Sequence, residues 1–134
     1  MYTIDNRRYI LNESISRIEV QFTVEDVGNA KGELIRFLAP RTIDALLRSM
    51  PLNGITALNQ DMVYFKTPIN IGVEKPKTQV DPGTVTFWPM GSAVCIFLKA
   101  TQPYSPMNVI GKIKDNLQIF QKINSSKRIK LEKV

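Results

Sequence analysis

The sequence DPGTVTFWPMGSAVCIFLKATQPYSPMNVIGKI, residues 81–113, carries the strongest structural signals in this chain of 134 residues. Asp81-Pro82-Gly83 predicts a tight turn, because proline sets the first central φ and glycine accepts a positive φ. The β-prone segment 84–88 follows and is closed by Pro89-Met90-Gly91. Residues 92–100 form a nearly continuous apolar run, which is typical of a strand covered on both faces. Together with a further strand at 108–113, the stretch predicts three short strands.

The segments before this stretch predict more strands and one helix. Residues 16–24 alternate apolar and polar side chains, which predicts a half-buried strand, and residues 31–37 predict its antiparallel partner. Pro40 suits a first helical position, and Pro51 stops the helix. Its apolar stripe, which we expect to cover an opening of the sheet, consists of Ile43, Leu46, Leu47 and Met50. Short β-prone segments are predicted at 55–58, 62–65, 69–73 and 79–80.

The C-terminal part completes the predicted architecture. We expect one or two helical turns over 115–123, capped by Asp115, and a last strand over 127–134. All eight prolines lie in the middle of the chain, so both ends are free to pair as uninterrupted strands. About eight short strands with one convincing helix indicate a barrel or a sandwich, and we favour the barrel because closure leaves no sheet edge.

Residues 1–14 are ambiguous between a small hairpin and a loose arm. We therefore divide the chain into an N-terminal extension, residues 1–14, and one domain, residues 15–134.

The composition excludes several kinds of chemistry. The chain has no histidine, which excludes His-based triads, His-ligated metal sites and a histidine switch near neutral pH. Cys95 is the only cysteine, so an internal disulfide is excluded, and we interpret it as a buried structural thiol. The acidic residues show no paired spacing, and glycine-rich phosphate loops are absent. We therefore expect no metal ion and no cofactor.

The positive charge is concentrated at the C-terminal end. Of the net charge of +6, residues 112–134 hold +5, with seven basic and two acidic residues. The interpretation we favour is a solvated last helix and strand, and the alternative is a surface for a polyanion. Because only Phe120 offers an aromatic stacking surface there, we do not expect nucleic acid as a partner.

The sequence also predicts a compartment. No stretch approaches the roughly 20 apolar residues that cross a bilayer, and no apolar region follows Arg7 and Arg8 as in a signal peptide. A single cysteine without a secretion signal fits a reducing environment. We therefore predict a cytoplasmic protein without a membrane partner.

The unusual residues gather between Tyr64 and Asn108, which bracket six of the eleven aromatic side chains. Aromatic residues at strand ends beside proline loops can line an apolar cleft, in which hydroxyl and amide groups orient a ligand. The alternative, which we favour for Phe87 and Phe97, is that these rings fill the core. The candidate cleft residues are Tyr64, Phe65, Lys66, Thr67, Trp88, Phe97, Thr101, Tyr104, Ser105 and Asn108.

Residues 81–113 resemble the signature of the small prokaryotic cyclophilin-like proteins. The matching pieces are Gly83, Phe87-Trp88-Pro89, Gly91, Ala93, Cys95-Ile96-Phe97, Thr101, Tyr104-Ser105-Pro106 and Asn108-Val109-Ile110-Gly111-Lys112-Ile113. Similar pieces upstream are Ala39-Pro40, Thr42, Ala45-Leu46-Leu47, Val63-Tyr64-Phe65 and Thr67-Pro68. The resemblance covers about residues 16–134. It implies a mainly β fold, a closed eight-stranded barrel with one clear α-helix and a short second helical turn.

The resemblance also bears on activity. Cyclophilins catalyse the cis/trans isomerisation of prolyl bonds, assisted by an arginine in a Phe-His-Arg strand. The counterpart in this chain is Tyr64-Phe65-Lys66-Thr67, where Lys66 is the only local substitute and lacks the planar fork of arginine. We therefore lean towards a protein that is not an enzyme.

Three functions follow as hypotheses. The first, which we favour, is a binding module for a small molecule or an extended, proline-containing peptide in the candidate cleft. The second is a divergent, weak peptidyl-prolyl isomerase. The third is an accessory protein that binds a polyanion or nucleic acid through the basic C-terminal segment. The identity of the ligand and the oligomeric state, a homo-oligomer included, stay open.

Overall fold

The computed structural model describes residues 16–59 and 61–134, and the eight strands of these residues close into one barrel. In chain order they are β1 (Arg17–Val24), β2 (Gly28–Ile35), β3 (Leu52–Asn59), β4 (Met62–Lys66), β5 (Thr84–Trp88), β6 (Ala93–Phe97), β7 (Asn108–Asp115) and β8 (Arg128–Lys133). Around the barrel the order is β1-β2-β7-β5-β6-β4-β3-β8, and every neighbouring pair is antiparallel. The predicted fold class is thereby confirmed, and the sandwich alternative is wrong.

The first and last described strands close the barrel by pairing with each other. Phe22 of β1 lies opposite Leu131 of β8, and both side chains are fully buried. The N–H of Val134 donates to the carbonyl oxygen of Glu19 at 3.1 Å, which extends the pairing beyond β8. A proline in β1 or β8 would remove one of the backbone N–H groups that pair these strands. The absence of proline at both ends of the chain therefore allows the barrel to close.

Two helices cover the two ends of the barrel. Helix α1 (Pro40–Ser49) follows a 3₁₀ turn at Arg36–Leu38 and places Ile43 and Leu46 in the core, at the end where β2 finishes. Helix α2 (Gln118–Gln121) lies at the end where β2 begins, and the ring of its Phe120 meets Phe22 edge-on with centroids 5.7 Å apart. The apolar stripe of α1 therefore covers an opening of the sheet, as predicted. In the described part of the chain, no helix is long and apolar enough to cross a bilayer.

The strands predicted at 69–73 and 79–80 are wrong. The chain between β4 and β5 is irregular and pairs only through isolated bridges at Pro76 and Val80. Strand β6 lies between β4 and β5 in the closed barrel, so no strand edge is open to the connection; Ile69 and Ile71 pack against the barrel core, and Val80 packs against the outer face of β6. We call residues 67–83 the covering loop.

Several boundaries also differ from the sequence predictions: β3 begins at Leu52, before the predicted segment 55–58, and α2 spans only Gln118–Gln121 of the predicted 115–123. Asp115 is the last residue of β7 and not a helix cap, and its carboxylate accepts the N–H of Lys31 at 3.2 Å. Strand β2 begins at Gly28, because the preceding turn already reverses the chain through Asp26, whose φ is 63°. It ends at Ile35, before the 3₁₀ turn. The predicted extension, residues 1–14, lies outside the described residues, and the domain division stays a prediction.

Candidate functional site

The outer face of β6 is buried as deeply as its inner face. Val94 and Ile96 point into the barrel core, whereas Ala93, Cys95 and Phe97 point outwards, and all five are at most 2% exposed. The outward side chains belong to a second apolar cluster with Met62, Val80 and Met107. The continuous apolar run of the sequence is explained by this arrangement, because loops cover the outer face of the strand.

Two loops form this cover and are tied to each other. The covering loop pairs with the loop after β6 through Val80 and Thr101, whose N–H groups each donate to the other's carbonyl oxygen at 3.0 Å. Met107, 1% exposed, receives the hydroxyl of Thr86 on its sulfur at 3.3 Å. The cover is therefore fixed to the sheet beneath it.

Three aromatic side chains emerge where the cover ends, and we call Tyr64, Trp88 and Tyr104 the aromatic row. The ring centroids of Tyr64 and Trp88 are 6.1 Å apart, and those of Trp88 and Tyr104 are 5.9 Å apart. Both pairs meet edge to face, at interplanar angles of 84° and 74°. Tyr64 and Trp88 are half-buried and Tyr104 is 69% exposed, so the row presents aromatic surface to solvent.

Trp88 is held in place by two neighbours. Its indole Nε1–H donates to the hydroxyl oxygen of Ser105 at 3.1 Å. Gly91 lies against the indole ring so closely that an added Cβ would stand 2.8 Å from Cδ2 of Trp88. Because the hydrogen bond and the glycine contact fix the ring from two directions, Trp88 is a preorganised surface for a ligand.

A cleft of about 300 Å³ opens beside the aromatic row, and we call it the loop cleft. Its two walls are Pro76–Thr78 of the covering loop and Gln102–Pro106 of the loop after β6. Tyr104 and Ser105 belong to the cleft and also contact Trp88. The row and the cleft thus form one continuous site.

The structure brings some of the predicted cleft residues together and separates others. Tyr64, Trp88, Tyr104 and Ser105 meet in the site. Phe97 and Thr101 line a cavity of about 30 Å³ behind Tyr104, which has room for water but not for a ligand.

The remaining predicted residues lie elsewhere. Lys66 is exposed at the end of β4, on the same outer face as Tyr64. The hydroxyl of Thr67 donates to the carbonyl oxygen of Ser92 at 3.0 Å and accepts the N–H of Ile69 at 3.2 Å, so it is used where the covering loop leaves β4. Phe65 is fully buried inside the barrel.

Asn108 is fully buried, and its amide is used within the protein. Its Oδ1 accepts the N–H of Glu74 at 2.7 Å, and its Nδ2 donates to the hydroxyl of Thr42 at 3.1 Å and the carbonyl oxygen of Gly72 at 3.0 Å. Asn108 therefore holds the covering loop in place and does not line the loop cleft.

Glu74 connects the covering loop to α1. Its carboxylate accepts the N–H of Arg41 at 3.0 Å and both the N–H and the hydroxyl of Thr42, at 3.1 and 2.9 Å. Ala39, the N-cap residue, makes no side-chain cap, so a distant residue caps this helix. Burial raises the pKa of Glu74, but the hydrogen bonds from Arg41 and Thr42 outweigh it and hold the pKa below 4.5.

Replacing Glu74 by glutamine is expected to lower the free energy of unfolding by about 1 kcal/mol at neutral pH, a loss of roughly 3 to 5 °C in Tm. The folded-state pKa is depressed, so this stabilisation is present above pH 4.5 and is lost as the pH falls through the lower folded-state value. Thermal unfolding of both proteins from pH 7 to pH 3 measures it. Glu132→Gln, at an exposed ion pair, is the control, and a difference that grows towards pH 3 would contradict the assignment.

Cys95 lies in the middle of the outer cluster, beneath the cover. Burial raises the pKa of its thiol to about 12, so it is protonated at neutral pH and is a poor nucleophile. This agrees with the interpretation as a structural thiol. Among residues 16–59 and 61–134, no three acidic or cysteine side chains gather in a group suited to a metal ion.

Sequence reasoning missed Gly91 and most of the cleft lining, namely Pro76, Lys77, Thr78, Gln102, Pro103 and Pro106. Gly91 was noted as a turn residue, but its contact with Trp88 depends on how the turn folds back. Pro76 and Lys77 line the cleft, although they lie between the two predicted β-prone segments 69–73 and 79–80. The crossing of the covering loop over the sheet depends on strand order, which the sequence did not specify.

We compared the chain with known protein families, sequences and structures. A family model described as Cyclophilin-like matches residues 16–132. A comparison with curated protein sequences finds no match. The solution structure of a hypothetical protein from Archaeoglobus fulgidus is similar, with a TM-score of 0.75 and 24% identity over 89% of this chain and 96% of that one. The structure of McbB in complex with tryptophan has a TM-score of 0.70 and 11% identity, over 84% of this chain and 44% of McbB. At these identities the two structures show a shared fold.

Proposed function

The chain belongs to the cyclophilin-like family, and we propose that it is a binding protein, whose aromatic row and loop cleft hold a small molecule or an extended, proline-containing peptide. The fold does not decide between functions, so the proposal rests on the site. The observation that carries it is the fixed, half-exposed indole of Trp88 at the edge of a 300 Å³ cleft.

The chemistry of the site favours binding over catalysis. Its walls are prolines and aromatic rings, and its polar groups are hydroxyls, an amide and one lysine. Such a lining gives apolar contact and a few orienting hydrogen bonds, as in small-molecule sites generally. Flat aromatic faces also suit the ring of a proline or an aromatic group of a ligand.

The test is ligand-induced stabilisation of the full chain. The panel contains short proline-containing peptides, small aromatic metabolites and tryptophan, the molecule bound in the McbB structure. A ligand at a hundred times its Kd adds about 2.7 kcal/mol to the stability, which raises Tm by several degrees. A panel in which nothing raises Tm or changes the fluorescence of Trp88, the only tryptophan, would refute the proposal.

Replacing Tyr104 by alanine is expected to weaken binding of any such ligand at least about tenfold, because the ring lies between Trp88 and the cleft. The side chain is exposed, so the free energy of unfolding should change by no more than about 0.5 kcal/mol. Phe37→Ala is the matched control, since Phe37 is similarly exposed but lines neither the row nor the cleft. Equal loss of affinity in both variants would contradict the assignment.

The isomerase hypothesis and the polyanion-binding hypothesis are each tested by a separate experiment. Isomerase activity would rest on Lys66, and a protease-coupled assay that shows only the uncatalysed rate at high protein concentration would exclude it. Polyanion binding would rest on the C-terminal basic residues, of which Lys114 and Lys130 lie within 4 Å of acidic partners. A gel shift that is absent at low salt would exclude that hypothesis.

A further inference from the structure

We infer that the loop cleft accepts a ligand through a carboxylate group, an inference that rests on the proposed binding function and names its ligand class. The charge of the lining points to this chemistry. Lys77 is the only charged residue in the two walls, and no acidic residue lines them. A cleft with a single cation and no carboxylate favours an anionic group on its ligand.

Lys77 has no acidic partner to neutralise it. Among the described residues, no carboxylate oxygen lies within 4 Å of its ammonium group. The two charged residues nearest to Lys77 in the sequence are used elsewhere: Glu74 caps α1, and the ammonium of Lys75 donates to the carbonyl oxygen of Phe37 at 3.2 Å. The ammonium group of Lys77 is therefore available to an anionic group of a ligand in the loop cleft.

A hydroxyl donor lies in the opposite wall. Ser105 uses its oxygen to accept the indole N–H of Trp88, which leaves its own O–H to donate. The partner of that O–H in the structure is the sulfur of Met90 at 3.6 Å, which is a weak acceptor. A ligand carboxylate would be a much stronger acceptor, because hydrogen bonds to charged groups are about twice as strong as neutral ones.

The other residues that line the loop cleft indicate the shape of the uncharged part of the ligand. Pro76, Pro103 and Pro106 together with the Tyr104 ring give flat apolar walls. The volume of about 300 Å³ is at the lower end for small-molecule sites. The ligand class is therefore a carboxylate on a small flat or proline-bearing body. A free aromatic acid and the C-terminal residues of a peptide share this chemistry.

The experiment compares acids with their neutral amides on the intact protein. The probes are indole-3-acetic acid against indole-3-acetamide, and acetyl-Gly-Pro-Phe with a free C-terminus against its C-terminal amide. Binding is followed by NMR titration of the backbone amides of Lys77, Gln102 and Ser105 and of the Trp88 indole N–H. We expect at least one acid to bind about fivefold or more tightly than its amide. The pair that shows the difference identifies a free acid or a peptide terminus as the source.

Three variants assign the effect. Lys77→Ala should abolish the preference for the acid, and Lys77→Arg should retain it. Lys122→Ala removes the same charge from the far end of the barrel and should leave the preference unchanged, since Lys122 follows α2. Preference for the acid that survives in Lys77→Ala would overturn the role of Lys77.

The outcomes separate this inference from the proposed function. Equal binding of acid and amide at the cleft would overturn the carboxylate inference and leave the binding function standing. Binding of neutral panel members without any binding of the acids would do the same. A protein that binds neither these probes nor any member of the wider panel would refute both.

Discussion

Replacing Gly111 by alanine is expected to prevent stable closure of the barrel between β2 and β7. Gly111 lies opposite Leu34 in that pair. An added Cβ would stand 2.9 Å from the carbonyl carbon of Glu33 and 3.0 Å from Cα of Leu34, and nearer still to the carbonyl oxygen of Glu33. These are backbone atoms of a paired strand, which cannot rotate away as a flexible side chain can.

The expected cost is more than about 4 kcal/mol, because the two strands must move apart and lose their hydrogen bonds. Domains of this size have a total stability of only about 5–15 kcal/mol, so much of the protein should be unfolded or insoluble at 37 °C. Far-UV circular dichroism and thermal unfolding measure the effect. Gly72→Ala is the matched control, since a Cβ there meets nothing within 4 Å. A Gly111→Ala protein that melts within about 2 °C of the parent would contradict this account.

Gly111 also shows which parts of the fold were predictable. It belongs to the NVIGKI segment, and the resemblance placed this segment in a barrel strand without showing why glycine stands there. The alternation in β1, the continuous apolar run of β6 and the proline-free ends each predicted a feature that the structure confirms. These signals depend on burial of a strand's faces, which a sequence records directly.

The errors have a different origin. Residues 69–73 are β-prone, yet the closed barrel leaves no strand edge open to them, and Ile69 and Ile71 pack against the barrel core instead. The β-propensity of a segment does not indicate the order of the strands around the barrel. Asn108 was predicted to meet a ligand, but its amide is used between Glu74 and Thr42, which lie 34 and 66 residues away in the sequence. Long-range hydrogen bonds of this kind leave no local pattern.

Replacing Gly91 by alanine is expected to weaken ligand binding at the aromatic row strongly. The added methyl group would overlap the six-membered ring of Trp88, with Cδ2 only 2.8 Å away and two further ring atoms closer. The indole therefore has to leave its position, which breaks its hydrogen bond to Ser105 and its edge contacts with Tyr64 and Tyr104. We expect a loss of affinity of at least about tenfold, together with about 1–3 kcal/mol of stability from overpacking.

Trp88 reports its own displacement, because it is the only tryptophan in the chain. In Gly91→Ala the emission maximum should shift to longer wavelength as the indole becomes more exposed to water, whereas in Gly72→Ala it should not move. Ser105→Ala, which removes the acceptor of the indole N–H without any steric overlap, should shift the emission in the same direction by less. This order follows from the geometry, since a steric overlap forces the ring out and a missing acceptor only loosens it. Unchanged emission and full affinity in Gly91→Ala would mean that the indole position does not determine binding. The site would then have to be sought in the cleft walls alone.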